Sequence, residues 1–160
     1  MEKRNPAVAV LDKKNPVVAA LQREQASALV LFLNYKKYHW LTFGPHFRDY
    51  HLLFEEHANQ VLESIDELAE RALMVDGKPI ADASRYIPAS LVSPSEGELA
   101  VRQMLDEALA AHDEIIHAMH DDAEVATKAG DIGTADLFTR LVQVHQKQRW
   151  FLKELLRKAD

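Results

Sequence analysis

The sequence predicts an all-α fold: a four-helix bundle with one long crossover between its second and third helices. Three observations predict it. Glycine and proline are scarce, five and six in 160 residues, and they fall in clusters. Between the clusters the chain is rich in Ala, Leu, Glu, Lys and Gln, the strong helix formers. In those stretches apolar residues recur at spacings of three and four, the period of a helix with one buried face. The length suits one domain with a full-sized core.

The elements follow in order. Residues 1–15 form an N-terminal arm and residues 16–160 the bundle domain. "KRNPAVAVL" is nearly repeated as "KKNPVVAAL" ten residues later. Each copy sets Asn before Pro, a helix N-cap followed by a residue suited to the first turn. The second copy opens helix one, over 16–42, with Leu21, Ala28, Leu29, Phe32, Tyr35 and Trp40 on its apolar side. Gly44-Pro45 ends it. Helix two spans 46–75 and stops at Asp76-Gly77-Lys78-Pro79, a turn signal. Residues 76–95 connect helices two and three, with "ASRYIP" as one short helix inside. Helix three opens at "SPSE", with Ser93 as N-cap, Pro94 as first helical residue and Glu96 as capping-box partner. It stops at Gly130. Helix four starts near Asp131–Thr134 and continues to about 158; Leu137, Leu141, Val144, Gln148 and Leu152 lie on its face. Helices joined by one such crossover have the ferritin-like connection pattern.

Charge narrows the partners. The net charge is −6. An acidic body does not attract phosphate, which needs a basic surface. The chain has no cysteine, so it has no disulfides and no thiolate metal sites. The opening residues lack the apolar core of a signal peptide. No apolar run reaches bilayer length. These features predict a cytoplasmic protein without membrane contact.

The chemistry concentrates in "YHWLTFGPHFRDYHLLFEE", residues 38–56. His39 and His51 flank the Gly44-Pro45 break, and Glu55 follows one helical turn after His51. Farther along helix two come Asp66 and Glu70, again one turn apart. The separations 4, 11 and 4 return all four helix-two residues to nearly one face. Imidazole and carboxylate together suit iron, manganese or zinc.

One chain cannot gather these groups around one ion. His51 and Glu70 are about 28 Å apart along a straight helix, whereas metal–ligand bonds are about 2 Å long. Two copies of helix two, antiparallel across a twofold axis near residues 60–61, bring the His51/Glu55 end of one against the Asp66/Glu70 end of the other. The turn at Gly44-Pro45 lets His39 join its own chain's His51. Twofold homodimers commonly use such axes. On spacing alone a plainer alternative stays open: His51–Glu55 as a surface pair and His39 as a satisfied core histidine.

"HWLTFGPHFRDYHLLFEE", then "DELAER", then "DGKP", resembles the signature of the Dps family, the DNA-binding proteins from starved cells, or mini-ferritins. The close match covers residues 39–79, and helix order agrees over the whole chain. The resemblance implies a dodecameric shell of tetrahedral symmetry with ferroxidase sites at its twofold interfaces. By matched position, His39, His51 and Glu55 come from one subunit and Asp66 and Glu70 from its partner. The implied activity is oxidation of Fe(II) with hydrogen peroxide, or more slowly with oxygen, and storage of the ferric mineral, which suppresses oxidative damage. Zinc is a possible substitute metal. One position departs: Glu55 stands where the family most often has Asp, and the extra methylene can shift one iron position. Glu56 and His57 rotate away from the site. Trp40 sits beside it, either as a quencher of one-electron oxidants or as a buried anchor.

Asp136 matches a position lining the family's threefold iron-entry pore. Asp131 is a second candidate, with a plain helix cap as its alternative. Arg140 follows one turn after Asp136. Helix three carries Glu114-Ile-Ile-His117, the ligand pair of intrachain di-iron sites. Helix four has no second such pair and helix one offers only Glu24, so a surface histidine cluster is the expectation there. Some relatives bind DNA through a lysine-rich arm. Here the arm sets Lys3, Arg4, Lys13 and Lys14 against Glu2 and Asp12. DNA binding is therefore expected to be weak or absent. The alternatives to an iron-oxidising mini-ferritin are a nucleoid-binding protective protein and a zinc buffer without turnover.

Overall fold

The computed structural model describes residues 11–157. Among them every regular element is helical: α1 (Pro16–Leu41), α2 (Phe47–Met74), the short α3 (Tyr86–Ala89) behind a 3-10 turn (Ala83–Arg85), α4 (Val101–Lys128) and α5 (Ile132–Leu156). This is the expected bundle, with the short helix in the crossover.

α1 starts where the Asn-Pro pair places it. The Asn15 carboxamide oxygen accepts from the Val17 and Val18 N–H groups at 3.0 and 3.3 Å, and Pro16 occupies the first turn. Asp12 orders the approach: its Oδ1 accepts from Lys14 N and Asn15 N at 2.7 and 2.9 Å. Residues 1–10, most of the N-terminal arm, lie outside the described residues. α1 pairs with α2, and α4 with α5. Leu21, Leu31, Phe54, Leu68, Ile115 and Phe138 lie fully buried between the pairs.

The crossover runs along α1 and is fastened by α1's own polar side chains. Gln22 Nε2 donates to Lys78 O at 2.7 Å. Gln25 exchanges two hydrogen bonds with the Ile80 backbone, both 2.9 Å. Ser27 Oγ accepts from Leu91 N at 3.0 Å. These bonds satisfy backbone groups that an irregular buried segment would otherwise leave unpaired. They also explain why α1 mixes polar and apolar residues on its buried surface.

The expected helix start at "SPSE" is corrected. Asn34 grips the segment outside any helix, its Nδ2 donating to Ser93 O at 2.9 Å and its Oδ1 accepting from Ser95 N at 2.8 Å. Gly97 then takes a positive φ of 70°, outside the helical region. α4 begins at Val101, with Ala100 N–H bonded to the Gln103 side chain at 2.9 Å. A capping motif in the sequence yielded to a tertiary hydrogen-bond pair.

Two glycines shape the ends of α2. Gly44, in the turn before it, has φ +97°, in the left-handed region. Gly77, after it, comes so near α1 that an added Cβ would stand 2.4 Å from Val18 Cγ2.

Candidate metal centre

The α1–α2 turn lays the end of α1 against the start of α2, and this brings His39 and His51 together. Their rings stack with centroids 3.7 Å apart and planes 20° from parallel. Each donates its Nδ1–H to the other's carbonyl oxygen, at 2.7 Å both ways. A carbonyl accepts and never donates, so each Nδ1 carries a proton, and in a neutral ring the lone pair then sits on Nε2. Neutral imidazole, with one nitrogen donating to a carbonyl and the other open, is the usual state of a metal-binding histidine. His39 Nε2 lies 3.8 Å from Glu55 Oε1. Phe47 packs on His51, ring centroids 5.0 Å apart.

Lys36, which sequence reasoning passed over, stands beside this group. Its Nζ is 3.5 Å from Glu55 Oε1 and 5.7 Å from the Trp40 ring centroid. Trp40 is 67 % exposed, so within one chain it is no buried anchor. Lys36 lies one turn before Trp40 and two residues ahead of Tyr38, the motif's first aromatic. Its helical spacing from His39 and Trp40 was the available signal.

Asp66 and Glu70 lie exposed farther along α2. Among the described residues of one chain, no set of three or more His, Asp and Glu side chains closes on a metal position. The structure thus brings His39, His51 and Glu55 together, and leaves Asp66 and Glu70 apart from them on the same helix. α1, α2 and the turn between them expose Leu33, Leu41, Phe43, Leu52 and Leu62, apolar surface of the kind that marks an interface.

At the start of α5, Asp131 acts as N-cap. Its carboxylate accepts from Thr134 N at 3.0 Å, Thr134 Oγ1 at 2.5 Å and Arg71 Nη2 at 2.6 Å. Partial burial pushes its pKa up, but these hydrogen bonds outweigh burial and hold it below the usual carboxylate value. Gly133 admits the guanidinium, since a Cβ there would stand 2.7 Å from Arg71 Nη2. Asp136 is exposed. Arg140 pairs with Glu67 across α2 and α5.

The Glu114/His117 pair faces outward, both residues exposed. Glu24 is fully buried but lies beside Arg23 and Asp122, not beside that pair. His57 turns away from His39, His51 and Glu55, as its helical position predicts, and enters the bundle core next to Tyr35. There it meets His112 and His145, two buried histidines that the sequence reading did not single out. Their signal was their place on apolar faces: His112 between Ala108 and Ile115, and His145 between Leu141 and Gln148.

Comparison with known proteins agrees with the geometry. The ferritin-like domain family matches residues 18–160. The structure of Dps from Thermosynechococcus elongatus is 64 % identical and superposes with a TM-score of 0.89, covering 90 % of this chain and 92 % of that one. The DNA protection during starvation protein 1 of Deinococcus radiodurans is 32 % identical over 138 residues, 84 % of this chain and 66 % of that protein. The Dps protein of Vibrio cholerae, described as a member of a broad superfamily of ferritin-like diiron-carboxylate proteins, is 28 % identical with a TM-score of 0.85, over 92 % of this chain and 94 % of its own. The helical bundle, its crossover and the family match over residues 18–160 define a ferritin-like protein. Within that class the chain belongs to the Dps family.

Proposed function

We propose that this chain is a ferroxidase and iron-storage mini-ferritin. It oxidises Fe(II) with hydrogen peroxide, or more slowly with oxygen, at sites shared between subunits. It deposits ferric mineral inside a dodecameric shell and so protects against oxidative damage. The observation that carries this is the His39–His51 pair: two imidazoles locked by reciprocal 2.7 Å bonds, with both Nε2 atoms open and Glu55 alongside. Asp66 and Glu70 of a second copy supply the remaining carboxylates across a twofold axis near residues 60–61. Neutral imidazole holds Fe(II) near neutral pH, and carboxylate favours the ferric product.

Iron as the metal follows the diiron-carboxylate class of the Vibrio relative; zinc has no such support. Asp136, exposed near the start of α5, is the pore carboxylate in this reading. Asp131 supports the same region as a cap held by Arg71. DNA contact is weak or absent at physiological salt: the body is acidic, and each arm carries only four cations against two anions. Protection then comes from consuming iron and peroxide together.

The test is anaerobic Fe(II) loading followed by peroxide, with ferric formation read optically. The parent oxidises iron rapidly, and His39→Ala and Asp66→Ala each lose most of the rate. Parental rates in either variant would overturn the ligand set, and a parent that binds iron without turnover would leave a metal buffer. A gel shift over a salt series checks the DNA expectation.

A further inference from the structure

The bundle core holds a hydrogen-bonded chain that the metal centre does not use. The hydroxyl of Tyr35, fully buried, is 2.6 Å from His112 Nε2 and 3.1 Å from His57 Nδ1. On its other side His112 Nδ1 is 2.9 Å from His145 Nδ1. Burial lowers the pKa of both His112 and His145, the latter to about 4, so each ring is neutral near pH 7 and carries one N–H. Distance assigns the direction. A 2.6 Å contact is too short for an ordinary N–H···O bond and fits an O–H donor, while 3.1 Å fits N–H···O. Tyr35 therefore donates to His112 Nε2, His57 donates to Tyr35, and His112 Nδ1–H donates to His145 Nδ1. Such a file moves a proton from the phenol in two short steps.

Two aromatic rings link the file to the helix turns that carry the proposed ligands. Tyr38 precedes His39 and Phe54 precedes Glu55 in the chain. Their rings stand 6.0 and 6.2 Å from Tyr35, centroid to centroid, and 5.5 Å from each other.

We propose that Tyr35 is a one-electron relay for the iron–peroxide reaction, with His112 and His145 receiving its proton. This rests on the ferroxidase reading above. Hydrogen peroxide needs two electrons and two protons to become two waters. A centre loaded with one Fe(II) is one electron short, and the shortfall is a hydroxyl radical. Tyr35 supplies the second electron. One Fe(II), one peroxide, one phenol, one neutral histidine and two solvent protons give one Fe(III), one tyrosyl radical, one imidazolium and two waters. The phenolic O–H bond breaks; its electron goes to peroxide and its proton to His112 Nε2, as the His112 Nδ1 proton passes to His145. A later Fe(II) returns the electron, the histidines return the proton, and Tyr35 is restored. Tyr38 is the internal comparison, because its hydroxyl donates to Glu107 at 2.8 Å and not to a histidine.

Freeze-quenched assemblies given substoichiometric Fe(II) and then peroxide should show a tyrosyl radical by electron paramagnetic resonance. Ring-deuterated tyrosine should narrow it. Tyr35→Phe should lose the signal and release more spin-trapped hydroxyl radical; Tyr38→Phe should keep the signal. His112→Gln should lower the radical yield. A signal that survives Tyr35→Phe, or its absence in a parent that oxidises iron, overturns the relay. A second arm needs no iron: metal-free protein is oxidised by flash-generated ruthenium(III) tris-bipyridyl. If the parent fails to oxidise iron but the flash yields a Tyr35-dependent radical, the ferroxidase reading falls and the relay's redox chemistry stands. If the flash yields none, the relay falls by itself.

Discussion

The Lys36 ammonium stands 3.5 Å from Glu55 Oε1, the carboxylate that also faces His39. A cation placed there holds the site together while it is empty and competes with Fe(II) for the same oxygen. A partly exposed pair of this kind contributes up to about 1 kcal/mol. Replacing Lys36 with Gln should therefore tighten anaerobic Fe(II) binding by about two- to five-fold at low salt, and less at high salt. Titration calorimetry reads both. Weaker binding in the variant would make Lys36 a positioning group for Glu55 instead of a competitor.

A site shared between subunits makes a prediction that no intrachain site makes. His39→Ala and Asp66→Ala chains, each inactive alone, are dissociated, mixed in equal amounts and reassembled. If sites draw one half from each of two twofold-related chains, roughly a quarter of them regain both halves. Ferroxidase activity of the mixture should return to about that fraction of the parent. An inactive mixture whose shells have demonstrably exchanged subunits would place all ligands within one chain.

Gly44 gives the turn its geometry at a position with open space: nothing lies within 4 Å of where a Cβ would be. The cost of Gly44→Ala is then purely backbone, from φ +97°, and amounts to about 1–2 kcal/mol. Because the same turn stacks His39 on His51, iron oxidation should slow along with a lower melting temperature. A variant that melts like the parent would mean the turn relaxes freely.

The helices and the turns around α2 were legible because they rest on local chemistry: Asn15-Pro16 as cap and first turn, Gly44-Pro45 as break, Gly77 as stop. The juxtaposition of His39, His51 and Glu55 was legible for the same reason, since a short turn joins two helix ends. What escaped depended on distant partners. The "SPSE" segment has a sound capping sequence, yet Asn34, far back in the chain, holds it out of the helix. Arg71 reaches Asp131 and Thr134 from another helix. His112 and His145 read as polar residues on apolar faces, and only the packing of α4 on α5 shows that they bond to each other.

Those two histidines also make stability depend on pH. Burial lowers the native pKa of His145 from 6.5 to about 4 and depresses His112 as well. Between those values the unfolded chain binds protons that the native chain does not, so stability must fall as pH falls. Above 6.5 the contribution is fully present; it is lost progressively toward 4. For His145 the full span corresponds to about 3 kcal/mol. Denaturant melts at fixed protein concentration should show a clear loss between pH 7 and 5. His145→Gln, which titrates in neither state, should flatten that slope; an unchanged slope would assign it to other groups.

Arg23 is the remaining test of buried charge. Its guanidinium bonds Asp122 and lies 3.6 Å from Oε1 of Glu24, which is fully buried. Burial, and then the Asp122 charge, push the Glu24 pKa well up, while Arg23 pulls it down. Truncating Arg23 to Met keeps the aliphatic stem but leaves two carboxyls without a cation. Removing one partner of a buried pair costs about 3–5 kcal/mol. Arg23→Met should lose stability of that order near pH 7 and recover part of it on acidification, as the Glu24–Asp122 pair takes up protons in place. The double variant with Glu24→Gln should recover a similar part without acid, since Gln needs no counter-charge. Melts of the single and double variants at two pH values decide the matter: a single variant as stable as the parent, or one indifferent to both acid and Glu24→Gln, would show that the carboxyls do not depend on Arg23.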